Sequence, residues 1–104
     1  MTIQFNTDKN VNGNEEFTAP YITHIEEKLS RYSHRITRIE VHLSDEDGSK
    51  NGLNTSRCLL EARLEGRQPI AVTHQADTYD QAVLGALDKL TTSLTSLLGR
   101  LSNY

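Results

Sequence analysis

Polar and apolar residues alternate through Thr2-Ile3-Gln4-Phe5-Asn6-Thr7, the period of two expected of a strand with one buried face. Asp8 to Asn14 is turn chemistry, rich in Asn with one Gly. The period then lengthens: Phe17, Tyr21, Ile22, Ile25, Leu29, Tyr32 and Ile36 recur at helical spacing on one side of a cylinder. Thr18 is the expected N-cap, because Pro20 suits a helix's first turn, and the helix is expected to end near Ser33 to Arg35. Alternation returns at Arg38–Ser44, with Ile39, Val41 and Leu43 inward, and again at Arg57–Glu65, with Cys58, Leu60, Ala62 and Leu64 inward. Between them lies the polar stretch Asp45–Thr55, long enough for so small a chain to suggest mobility or function. Gly66-Arg67-Gln68-Pro69 predicts a hairpin turn into a last strand, Ile70–Gln75. Tyr79, Ala82, Val83, Ala86, Leu87, Leu90, Leu94, Leu97, Leu98 and Leu101 then form one long apolar helical stripe.

The order β-α-β-β-β-α predicts an α+β, two-layer sandwich with two helices on one face of a four-stranded sheet. The other face meets water and carries Gln4, Arg38, Glu40, His42, Arg57, Glu61 and Arg63. A length of 104 residues is one domain's worth, so residues 1–104 are expected to form a single domain. No apolar run approaches the ~20 residues of a membrane helix, and the N-terminus lacks an export signal. A single cysteine, Cys58, precludes an internal disulfide, and a reducing cytoplasm is the expected compartment.

Catalytic signals are few. Cys58 sits mid-strand with no His at diagnostic spacing and fits core packing better than nucleophilic chemistry. No nucleophile elbow, phosphate loop or dinucleotide fingerprint occurs. His24, His34, His42 and His74 are scattered, with no helical i,i+4 pair, so no metal site is expected. Asp45-x-Asp47-x-Ser49 opens like a calcium loop but has Lys50 where Gly is required and Ser56 where Glu is required. No cofactor is implied.

Charge is the remaining signal. The 11 basic and 14 acidic residues give a net charge of −3, which argues against coating nucleic acid by bulk electrostatics and leaves room for a local patch. On a helical wheel His24, Lys28, Arg31 and Arg35 fall within about 60° of one another. Lys89 and Arg100 share a line on the last helix, with Ser93 and Ser96 between them. If the helices pack side by side, these flanks can join into one cationic groove, with Arg67 and Lys50 added from loops. The plainer alternative is a solvated face whose cations offset the helix dipole, with Glu27 and Arg31 as an i,i+4 pair.

The same element order, with Lys28-Leu29-x-x-Tyr32-x-x-Arg35-Ile36 closing the first helix, resembles the short ribosome hibernation-promoting factors and ribosome-associated inhibitors of the sigma-54 modulation-like family. Asn51-Gly52, Arg57-Cys58-Leu59-Leu60-Glu61-Ala62-Arg63, Pro69-Ile70-Ala71-Val72-Thr73-His74, Asp88-Lys89-Leu90 and Leu98-Gly99-Arg100-Leu101 extend the resemblance over nearly the whole chain. It implies a non-enzymatic protein that binds the small ribosomal subunit in the channel of messenger and transfer RNA, regulating translation and preserving idle ribosomes under stress. It implies contact with ribosomal RNA phosphates through Lys28, Arg31, Arg35, Lys89 and Arg100. Arg57, Arg63 and Arg67 are secondary candidates, since a sheet-face arginine can instead pair with Glu40, Glu61 or Glu65. Many relatives carry basic residues where this chain has Thr91 and Thr92, and a lysine-rich tail where it ends Leu101-Ser102-Asn103-Tyr104, so phosphate contacts are missing.

These observations predict a cytoplasmic monomer that binds ribosomal RNA, does not pair ribosomes by itself, and has neither DNA nor a membrane as partner. Five to eight phosphate contacts imply log affinity falling with log salt at a slope of about −4 to −7. The alternative is a protein-interaction or regulatory module on the same fold with weakened or lost ribosome binding. Generic double-stranded-RNA binding fits the layers, but Asp77, Asp80 and Asp88 repel phosphate along the last helix.

Overall fold

A computed structural model describes residues 1–8, 13–45 and 55–99. The strands are β1 (Thr2–Thr7), β2 (Ile36–Asp45), β3 (Ser56–Leu64) and β4 (Ile70–Ala76), and the helices are α1 (Glu15–Lys28) and α2 (Tyr79–Leu94). The sheet order is β1-β2-β3-β4. β1 runs parallel to β2 and the other pairs are antiparallel, as required when a helix crosses over between the first two strands and hairpins join the rest. The register aligns Phe5, Val41, Leu60 and Val72 in one row across the helix-facing side. This is the α+β order the alternation predicts.

One core fills the space between layers. Ile39, Val41, Leu43, Cys58, Leu60 and Ala62 from the sheet meet Ile25 and Leu29 from α1 and Ala82, Val83, Ala86, Leu87, Leu90 and Leu94 from α2, all buried. Burial pushes the Cys58 thiol up to about 12, well above a reactive thiol, in keeping with a packing role. Gly66 adopts φ +72° in the β3–β4 turn, a conformation glycine takes without strain. Gly85, in the middle of α2, is demanded by packing: a Cβ there would come within 2.1 Å of the His74 ring, which projects from β4 onto the helix.

Three helix boundaries differ from the sequence expectation. Asn14, not Thr18, caps α1: its side chain accepts from the Phe17 amide at 2.8 Å, and Glu15 and Glu16 occupy the favourable first turn. Thr18 is buried one turn in, its hydroxyl facing the Glu15 carbonyl, and Pro20 lies inside the helix on its exposed side. There solvent can serve the carbonyl that proline leaves unbonded. The α-helical winding stops at Lys28 and tightens into a 3-10 turn, Ser30–Tyr32, with the Tyr32 amide on the Leu29 carbonyl at 2.9 Å and the Arg35 amide on the Tyr32 carbonyl at 2.9 Å. β2 accordingly starts at Ile36, two residues earlier than expected, with a register shift between Ile36 and Arg38. α2 is regular only to Leu94 and then widens into a π turn, Thr95–Gly99, which changes the angular step assumed for the later leucines. Asp47, Ser49, Lys50, Asn51-Gly52, Arg100 and the residues after it lie outside the described residues.

Candidate nucleic-acid interface

Because β1 and β4 point the same way, α1 and α2 run parallel along the sheet, and contacts pair them from end to end. The Phe17 and Tyr79 rings meet edge to face at 6.0 Å near the helix starts, the Lys28 ammonium lies 3.7 Å from the Asp88 carboxylate, and the Tyr32 and Thr95 hydroxyls bond at 2.9 Å near the helix ends. Both N-terminal turns are acidic, with Glu15 and Glu16 on α1 and Asp80 on α2.

Cations gather at the opposite end. Lys28 closes α1, Arg31 sits in the 3-10 turn, Arg35 leads into β2, and Arg67 lies in the β3–β4 turn. The Glu65 amide donates to the Arg35 carbonyl at 3.3 Å, which fixes that turn beside Arg35. Arg31 lies 5.1 Å from the centre of the Tyr32 ring, and Tyr32 is itself held by Thr95, so the guanidinium is held from behind by a buried aromatic. Among the described residues Arg31, Arg35 and Arg67 form no ion pair. Lys28 does pair with Asp88, but both side chains are largely exposed, where such a pair is weak and screened by salt.

The other candidates divide. Lys89 donates to the Thr73 carbonyl at 2.8 Å, so it turns toward β4 while its neighbour Asp88 turns toward α1. The two helix flanks therefore do not merge into one cationic strip along the seam. Lys89 instead joins Arg57, His74 and Gln75 around a polar recess at the β4 edge. His74 was missed as a neighbour of these cations; a glycine midway along an otherwise strong helix was the signal that something packs closely there. Arg63 is committed on the solvent-facing side of the sheet. Its Nε donates to Glu40 at 3.0 Å and its NH2 lies 3.1 Å from Glu61, while Arg38 reaches the same Glu40 oxygen at 3.1 Å. The hydrogen bond from Arg63, reinforced by Arg38, holds the Glu40 carboxyl below its usual range, and the bond to Glu40 together with the Glu61 carboxylate raises Arg63. Thr91 turns its hydroxyl back onto the Leu87 carbonyl at 2.8 Å.

Among the described residues no group of three or more His, Cys, Asp or Glu side chains is arranged to hold a metal, and no helix is long and apolar enough to cross a membrane.

Comparison with known proteins places this α+β sandwich and its basic end. The chain belongs to the family described as sigma 54 modulation protein / S30EA ribosomal protein, whose sequence pattern matches residues 8–102; this is a family of ribosome-associated proteins. The fold is similar to the crystal structure of the Thermus thermophilus Protein Y N-terminal domain, with a TM-score of 0.71 and 21% identity over 92% of this chain and 98% of that one. It is also similar to a ribosomal subunit interface protein from Coxiella burnetii, with a TM-score of 0.64 and 21% identity over 95% of this chain and 99% of that one. Comparison with curated proteins finds no match.

Proposed function

We propose that the protein binds the small ribosomal subunit through ribosomal RNA phosphates, met first by Lys28, Arg31, Arg35 and Arg67 at the basic end. Lys89 and Arg57 at the β4 edge, with Arg100, extend the contact, and Arg63 contributes least because two carboxylates already hold it. The observation that carries this reading is the gathering of cations from α1, the 3-10 turn, the residue before β2 and the β3–β4 turn at one end of a family member whose net charge is −3. Guanidinium groups suit phosphate because their donors are planar and paired, and Arg31 is pre-positioned by its ring. Folded RNA would be recognised by backbone shape, with no chemistry performed: the protein acts by occupying the channel, regulates translation and protects idle ribosomes. Residues 1–104 act in this proposal as one binding domain in the cytoplasm, as a monomer.

Co-sedimentation with purified small subunits at low salt tests it. Association at micromolar protein is expected, and no association under those conditions overturns the proposal. A second reading, an interaction module with reduced ribosome binding, is favoured by the internal partners of Lys28, Arg63 and Lys89. An affinity pull-down that yields one stoichiometric protein without ribosomal RNA would select it.

A further inference from the structure

The seam between α1 and α2 is not cationic. Along the N-terminal halves of the helices it opens into a groove of about 290 Å³ lined by Pro20, Tyr21, His24, Asp80, Val83 and Leu84. Leu84 stands apart from the other leucines of α2: Leu87, Leu90 and Leu94 are buried, whereas Leu84 is 46% exposed. Its exposure contributes nothing to the core.

Charge defines what such a groove can accept. Asp80 and Asp88 precede and follow Leu84 by one helical turn, and by spacing Glu16 and Glu27 fall on the flank of α1 that carries Pro20. The Asp80 carboxylate is fixed by the Tyr21 hydroxyl at 2.5 Å, and burial together with that bond pushes the Tyr21 phenol up, so it stays protonated as the donor. An apolar floor with a fixed carboxylate on its wall repels phosphate and suits a cationic group attached to an apolar one.

We propose that this groove binds a basic peptide segment of another protein, one large apolar side chain seated between Pro20 and Leu84 and a lysine or arginine set against Asp80. This is a different ligand class on a different face from the RNA-binding end, and it stands or falls without reference to RNA.

The test uses the full chain, isotope-labelled for amide NMR, and a short synthetic helical peptide carrying Leu and Lys at i,i+4 spacing. Saturable shifts centred on Tyr21, His24 and Leu84 are expected. Replacing the peptide's leucines by alanine should weaken binding about tenfold, as loss of buried apolar surface requires. Replacing its lysines by glutamate should abolish binding. Leu84→Lys should weaken it by about tenfold or more while leaving thermal unfolding unchanged, because the side chain is exposed; Leu84→Ala should weaken it less. Absence of saturable binding, equal affinity for the leucine and alanine peptides, or shifts spread over all acidic residues would overturn the proposal. So would displacement of the peptide by an RNA oligonucleotide that shifts the same groove residues, or protein self-association through Leu84 without peptide, which would assign the groove to RNA or to a second copy.

Discussion

At the scale of single residues, Gly85 and His74 form a matched pair. Glycine in a helix interior costs about 1 kcal/mol relative to alanine. It is kept at position 85 because the imidazole lies where a Cβ would be, within 2.1 Å. Gly85→Ala therefore has opposite signs in two backgrounds: destabilising in the natural chain, where His74 must swing away, and stabilising by about 1 kcal/mol once His74 is alanine. Chemical denaturation of the four-member cycle measures this, and additive effects would show that the ring is free to move.

Cys58 gives a residue-scale pH dependence. Its folded thiol ionises only near 12, against about 8.5 in an unfolded chain. The raised value means that its stabilising contribution is fully present below about pH 8.5 and is lost as pH climbs toward the folded value. Stability of Cys58→Ala should therefore fall less steeply between those limits than that of the natural protein, although alanine lowers it uniformly by leaving a small void. Parallel stability-versus-pH curves for the two proteins would contradict the assignment.

Elements were legible where periodicity alone decides them. β1 matches its expected bounds, and β2, β3 and β4 differ by one or two residues at an end, because a strand with one wet face must alternate. The helix termini were less legible because competing local signals had to be ranked. Pro20 argued for a start at Thr18, but the cap bond from Asn14 and two first-turn acids outweigh one misplaced proline. Asn14→Ala should accordingly cost about 1 kcal/mol of stability and Thr18→Ala should not mimic it through loss of a cap, as denaturant midpoints will show. The boundary at the other end of α1 affected the candidate site. A wheel drawn through Arg35 assumes 100° per residue, whereas the chain leaves the α conformation after Lys28, so Arg31 and Arg35 reach the basic end by way of a 3-10 turn. Spacing and resemblance nominated the side chains that could meet phosphate; their partners, Asp88 for Lys28, Thr73 for Lys89 and Glu40 for Arg63, are 16 or more positions away and exist only after folding.

For the whole molecule, parallel helices set acidic first turns against a basic opposite end, so the protein carries a lengthwise polarity that its net charge conceals. Under the proposed function the affinity for small subunits should fall with salt toward the shallow end of the about −4 to −7 range, since Arg63 is already paired and Thr91 is neutral. Lys28→Glu with Arg31→Glu should reduce that slope by about 1.5 as well as weaken binding, whereas Arg63→Gln should change it little. Sedimentation across a salt series distinguishes the variants, and unchanged binding by the double variant would remove the basic end from the interface.

The Lys89 contact bears on behaviour in crowded solution. β4 is an outer strand, and an outer strand with a free row of backbone groups invites another strand to zip onto it. By laying its ammonium on the Thr73 carbonyl, Lys89 occupies one acceptor of that row and places a hydrated charge beside it. Lys89→Met should thus favour slow, concentration-dependent aggregation at high protein concentration even where folding is unimpaired, which light scattering will register. Under the proposed function the same side chain also meets RNA phosphate, so loss of solubility and loss of affinity would arrive with one substitution.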